Sequence, residues 1–155
     1  MAPELSRDDV VRAQETIGGR LHRTPVFTSA TLGERVHLKA ELFQRTGSFK
    51  PRGVLTKLAS LSDEERRRGV IGISAGNHAQ ALAYCSALER VDCLVVMWEG
   101  ASEQKIEATR NYRADVDLRA SGPAGAFERL DELIEETGRT LVHPFDDPLV
   151  IAGQG

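Results

Sequence analysis

Long apolar runs are missing from this chain: none approaches the roughly 20 residues of a membrane-spanning helix, so the sequence offers no such span. An excess of one charge is missing too. Lys and Arg number 20 against 23 Asp and Glu, a net charge of −3, which leaves no field to gather nucleic acid or an anionic membrane. The one basic cluster, Arg66-Arg67-Arg68, falls at the end of a predicted helix, where cations suit the helix dipole. The first residues, Met1-Ala2-Pro3-Glu4, lack the basic stretch and apolar stretch of a secretory leader, so none is expected. Cysteine is scarce. Cys85 and Cys93 form no C-x-x-C pair, and one lies in a helical pattern and the other in a strand. Both are expected as reduced, buried thiols of a cytoplasmic protein. His22, His37, His78 and His143 are too scattered for metal-ligand spacing. No segment is of low complexity, and the longest glycine run is only Gly18-Gly19.

What is present suits a globular domain. The 155 residues, 41% apolar and 28% charged, can bury a core. Ser6-Arg7-Asp8-Asp9 opens a helix that Gly18-Gly19 closes. Arg23 to Thr28, with Pro25, reads as an extended entry segment, and Val36 to Glu41 alternates as a strand. Ser62-Asp63-Glu64-Glu65 is a capping box for a short helix ending at Gly69. Strands then alternate with helices. Strands are predicted over Val70–Ser74, Val91–Met97, Val116–Arg119 and Thr140–His143, and helices over His78–Glu89, Ser102–Tyr112 and Ala124–Thr137. Strands separated by single helices indicate right-handed βαβ units. The expected fold class is α/β, an open parallel sheet of four strands with helices on both faces.

Two stretches carry chemistry. In Thr46-Gly47-Ser48-Phe49-Lys50-Pro51-Arg52-Gly53, Ser48 suits an N-cap and Pro51 a first helical turn. The spacing therefore predicts a helix from about Phe49 to Ser60 with Lys50 in its first turn. A helix N-terminus carries about +0.5 of a charge and disfavours an ammonium there. Lys50 is then either a solvated lysine beside a turn or an amine kept neutral to attack a carbonyl. In Ser74-Ala75-Gly76-Asn77-His78, a strand ends and a helix begins. Ligands of open α/β sheets bind at that edge, and free N–H groups at a helix start can hold an anion. Asn77 is either a plain helix cap or a ligand-binding amide.

The stretch Lys39 to Gly53 closely resembles the segment around the Schiff-base lysine of threonine dehydratases and serine racemases, members of the fold type II family of pyridoxal 5'-phosphate (PLP) enzymes. Residues 74–78 resemble the S-x-G-N-H loop of the same family, and His22-Arg23-Thr24-Pro25 its His-Arg-Thr-Pro stretch. The resemblance implies that Lys50 holds the cofactor covalently and is the catalytic amine. It implies that Phe49 packs near the pyridine ring and that Asn77 hydrogen-bonds the cofactor's 3′-oxygen. Ser74, Ala75, Gly76, Asn77 and His78 would line the substrate's carboxylate pocket. Serine racemases can carry an acid-base serine where Ala75 stands. A methyl group cannot move a proton, so Ala75 favours a dehydratase, which needs only Lys50.

A third match, His143-Pro144-Phe145-Asp146-Asp147-Pro148 with Ile151-Ala152-Gly153-Gln154-Gly155, carries the chain from the small domain back to the large one in this family. His143 is expected as a buried, hydrogen-bonded residue. Trp98, Glu89-Arg90 and Arg113 depart from the family's pattern. An arginine at 113, in place of a positive-φ glycine, would add strain of about 1 kcal/mol.

The resemblance spans nearly all of the chain but about half of the family's usual length. It implies that residues 1–69 begin the large cofactor domain, that 70–147 form the small α/β domain and that 148–155 start the return to the large domain. The glycine-rich phosphate cup and the ring-nitrogen partner lie in the family's second half and are absent from this sequence. The chain looks cut after Gly155, and the Val36–Glu41 strand is expected to have lost its neighbours and be an unpaired edge. The function expected from these features is β-elimination from L-threonine or L-serine to a 2-oxo acid and ammonia, with an amino acid as partner and a homo-oligomer when full length. This chain alone should show little activity. A serine racemase or other fold type II lyase is one alternative, and a non-catalytic α/β module or decayed fragment is the other.

Overall fold

Ser6 caps helix α1 (Arg7–Ile17) through the reciprocal bonds of a capping box with Asp9. Ser62 and Glu65 do the same for α3 (Asp63–Arg68). The structure, a computed structural model, describes residues 5–155; Met1–Glu4, on which the expectation of no leader rests, lie outside the described residues. Between these helices come β1 (Val26–Ser29), β2 (Gly33–Lys39) and α2 (Lys50–Ala59). After α3 the chain alternates: β3 (Val70–Ile73), α4 (Asn77–Glu89), β4 (Cys93–Trp98), α5 (Glu103–Asn111), β5 (Asp115–Ala120), α6 (Pro123–Thr137), β6 (Thr140–Leu141) and α7 (Pro148–Gln154).

The expected four-stranded sheet is present. Its order is β5-β4-β3-β6, and every pairing is parallel. β3 is Val-Ile-Gly-Ile and buried throughout, as a strand covered on both faces must be. Its residues alternate between two cores. Val70, with Val95 and Met97 of β4, packs under α2 and α4 around Leu55, Leu58 and Leu82. Ile71 and Ile73, with Val96, pack on the opposite face against Ala126, Leu130 and Leu133 of α6. Leu55, Leu58 and Leu82 are fully buried, and each such side chain stabilises the fold by about 2 kcal/mol. The free thiols of Cys85 and Cys93 are buried as expected, and burial pushes the Cys93 pKa up to about 12.

Two expectations need correction. β2 has not lost every neighbour: it pairs antiparallel with β1 on one side, Phe27 opposite Leu38 and Thr28 opposite His37, and its other edge has no partner strand among the described residues. Pro25 precedes β1 instead of interrupting it, so the entry segment keeps its ladder donors. The last parallel strand is only Thr140–Leu141. Beyond it Val142 donates to the Ile71 carbonyl, and the chain then turns away. Finally, α7 packs against α1 and α2, so the end of the chain returns to its beginning.

Candidate active site

α2 starts one residue later than the sequence spacing predicts, at Lys50, and its N-cap is Phe49, which makes no side-chain cap. Ser48 is therefore not the cap. The 3₁₀ turn Arg45–Gly47 holds Thr46 at φ 65° and Gly47 at φ 70°, and Phe49 is already helical (φ −72°, ψ −13°). Ser48 stays extended, and its Oγ is buried without a hydrogen-bond partner. Gln44 pins this loop. Its side chain donates to the His22 carbonyl (2.8 Å) and accepts from the His22 N–H (2.9 Å), tying the entry segment to the turn before Lys50. Sequence reading assigned Gln44 no role, since a polar residue in a loop gives no periodic signal.

The Lys50 amine is half-buried, and burial lowers its pKa below the ordinary 10.5. Lowering was expected from the helix dipole; the cause here is desolvation. Nζ lies 5.2 Å from the centre of the Phe49 ring and donates to the Pro144 carbonyl at 2.6 Å. That partner comes from 94 residues along the chain, so it leaves no local sequence signal.

α4 starts at Asn77, and Gly76 is its N-cap without a side-chain bond. Asn77 is thus the first helical residue, not the cap, and its side chain is exposed. Ser74 Oγ accepts from the Gly76 N–H at 3.0 Å, and the first N–H groups of α4 have no helical acceptor. Lys105 of α5, unnoticed in the sequence, places its Nζ 3.9 Å from where a Cβ on Gly76 would stand. A lone lysine in a helical pattern carries no signal that could have flagged it. His78 is buried and its ring bonds the Val142 carbonyl at 2.9 Å. Burial drops its pKa to about 4, so the ring is neutral at pH 7. His143 is half-buried, and its Nδ1 accepts from the N–H groups of Phe145 and Asp146.

These residues share one edge of the molecule. Ser48, Phe49 and Asn77 line a groove of about 560 Å³ with Phe27, Leu38, Leu42 and Phe43. Lys50 and His78 bond carbonyls two residues apart in the 142–144 segment. An aromatic wall, an exposed amide, a buried hydroxyl without a partner and a half-desolvated amine together fit a flat, oxygen-bearing ring with an aldehyde. The residues present therefore fit PLP at its aldehyde and ring face.

Comparison with known proteins agrees with the geometry. The chain is 43% identical over 152 residues to the catabolic L-threonine dehydratase TdcB of Escherichia coli (strain K12), covering 96% of this chain and 46% of the relative. It is 43% identical over 155 residues to the L-threonine ammonia-lyase of Thermotoga maritima, covering 97% and 39%. The chain thus spans less than half the length of these relatives. Among solved structures, the T.th. threonine deaminase superimposes with a TM-score of 0.85 at 44% identity, over 96% of this chain and 48% of that one. The serine racemase of Dictyostelium discoideum gives 0.88 at 38% identity, over 96% and 50%. Residues 17–155 match the family described as pyridoxal-phosphate dependent enzyme, and the chain belongs to it.

Proposed function

We propose that this chain carries the lysine-bearing part of a PLP-dependent threonine/serine dehydratase, which converts L-threonine or L-serine to a 2-oxo acid and ammonia. The Lys50 amine carries the reading: it is half-buried, its pKa is lowered, and it sits at the edge of the sheet where α4 begins. When bound, PLP withdraws electrons from the substrate's α-carbon and makes its proton acidic. Lys50 would hold the cofactor covalently through Nζ, and that amine, once the substrate's amine has taken its place, would be the neutral base for the α-proton. Phe49 and Asn77, which line one groove, would support the ring and donate to its oxygen. Ser74, Gly76 and the free N–H groups of Asn77 and His78 take the substrate carboxylate, with the Lys105 ammonium nearby. Ala75 offers no group for a second face, which favours elimination over racemisation.

Residues 1–69 and 148–155 belong to the cofactor domain in this reading, and 70–147 to the small domain. The packing of α7 on α1 and α2 supports that division. Phe27, Leu42 and Phe43 are each at least half exposed, which supports further polypeptide covering this face in a full-length homo-oligomer. Buried free thiols suit the cytoplasm. No described helix is long and apolar enough to cross a membrane.

The test adds PLP to the purified chain and follows the visible absorption of a lysine-bound cofactor, with 2-oxobutanoate release from L-threonine assayed in parallel. A band that K50A abolishes is expected, with little turnover by the 155 residues alone. A band unchanged in K50A, or no band at all, overturns the reading.

A further inference from the structure

One short segment after β6 is gripped at two carbonyls. His78 Nε2 of α4 bonds Val142 at 2.9 Å, and Lys50 Nζ of α2 bonds Pro144 at 2.6 Å. Two residues span about 7 Å at most, so both side chains act on one stretch of backbone. The ring passes beside Gly72 of β3: a Cβ there would stand 3.5 Å from His78 Nε2 and 3.4 Å from the Val142 carbonyl, ordinary contacts, with the Leu82 side chain as the one tight neighbour at 2.5 Å.

The partner determines the tautomer. A carbonyl oxygen only accepts, so Nε2 carries the proton, and Nδ1 is a bare lone pair, buried with no hydrogen-bond partner. Such a ring cannot hold a carboxylate, because it offers that anion no donor. It is also a poor acid near neutral pH, being uncharged there. What it can do is fix Val142. Downstream, His143 closes the turn by accepting from the N–H groups of Phe145 and Asp146. The Pro144 carbonyl is therefore held from both sides.

We infer that His78 is a positioning residue: by anchoring the Val142 carbonyl it sets the Pro144 carbonyl that holds the Lys50 amine in its half-buried place. The inference rests on Lys50 as the cofactor-bearing amine but concerns that amine before any cofactor is added. The titratable groups facing this cluster are His78 from α4 and His143 from the β6–α7 loop. Among the described residues no carboxylate lies within 4.0 Å of Lys50 Nζ.

The test measures acetylation of Lys50 by acetic anhydride against pH in the 155-residue chain without cofactor, read by mass spectrometry of the Lys50 peptide. H78Q keeps an N–H donor where Nε2 stands, and H78N stops short of Val142. The H78Q profile should match wild type. The H78N profile should move up by about half a pH unit, or about threefold less neutral amine at a given pH. If H78N fails to fold, H78F fills the ring's volume without a donor and should show the same shift. A donor-less variant that matches wild type overturns the inference, as does H78Q shifting as far as H78N. Because no PLP is present, either result stands apart from the spectral test of Lys50.

Discussion

Gly53 of α2 and Gly153 of α7 meet back to back. A Cβ on Gly153 would lie 2.7 Å from Gly53 Cα and 2.7 Å from the Arg52 carbonyl, and closer still to Thr56 Oγ1; one on Gly53 would lie 2.5 Å from the Val150 carbonyl. The two helices thus touch through their backbones, and this contact brings the end of the chain onto the helix that carries Lys50. In G153A, moving the Thr56 hydroxyl aside would not suffice, because the other two close atoms are backbone. The substitution should cost about 3 kcal/mol in urea unfolding. G125A in α6 is the control, because its Cβ would meet only Ser121 Oγ at an ordinary 3.6 Å. That change should stabilise by about 0.5–1 kcal/mol. Equal midpoints for G153A and wild type would mean that α2 and α7 are not in backbone contact.

His78 makes stability depend on pH. Its folded pKa, about 4, lies below the ordinary 6.5. Between those values the unfolded chain binds the extra proton, so stability is complete above pH 6.5 and is lost as pH falls toward 4. Going from about pH 7 to about pH 4.5 should remove about 2 kcal/mol. The carboxyls of Asp117 and Asp147 are held below their ordinary 3.8 and contribute little in this window. Urea unfolding of wild type and H78Q at the two pH values isolates the effect. A wild-type loss no larger than that of H78Q would contradict the neutral, buried ring.

How much of this was legible in sequence differs between the chain's two halves. From Val70 onward, apolar strands alternate with helices, and burial on both faces of the sheet enforces that pattern; direction and element type could be read, and the strand order could not. Before Val70 the strands are mostly exposed, so no burial alternation marks the β1–β2 pairing. Lys50 and the 74–78 loop were legible because each is a local motif at an element boundary. Ser48 misled because cap preference says nothing about the left-handed residues Thr46 and Gly47 just before it. Pro144, Gln44 and Lys105 matter through contacts distant in the chain, which no local pattern encodes.

Arg113 stands at φ 68°, as its place in a glycine position predicts, and Arg90, the C-cap of α4, stands at φ 56°. Neither arginine is in an ion pair among the described residues. The left-handed backbone costs each about 1 kcal/mol relative to glycine. R113G and R90G should each stabilise by about that amount; both arginines line one cavity with Tyr112, so the double variant measures their coupling. Thermal unfolding of the single and double variants checks this, and a loss of stability in either single variant would show that the side chain contributes more than the strain costs.

Asp147 joins the Lys50 helix to the start of α7. Its Oδ1 accepts from the N–H groups of Leu149 (2.8 Å) and Val150 (3.3 Å), while Oδ2 pairs with Lys57 Nζ at 2.7 Å. Burial raises the carboxyl's pKa, but the Lys57 ammonium and the two N–H bonds outweigh it and hold the group below 3.8. The pair is largely shielded from solvent, so it should exceed the small worth of a surface ion pair. D147A removes the cap and leaves Lys57 half-buried without its partner, at a cost of about 2 kcal/mol. D147N keeps a capping oxygen and loses only the charge pair, so it should cost about half as much. If D147N and D147A fall together in urea, the charge pair carries the whole effect; if D147N matches wild type, the cap does. Because Pro144 lies three residues upstream, D147A should also loosen the carbonyl that holds Lys50 and move that amine's acetylation profile toward an ordinary lysine's, as H78N should from the other side.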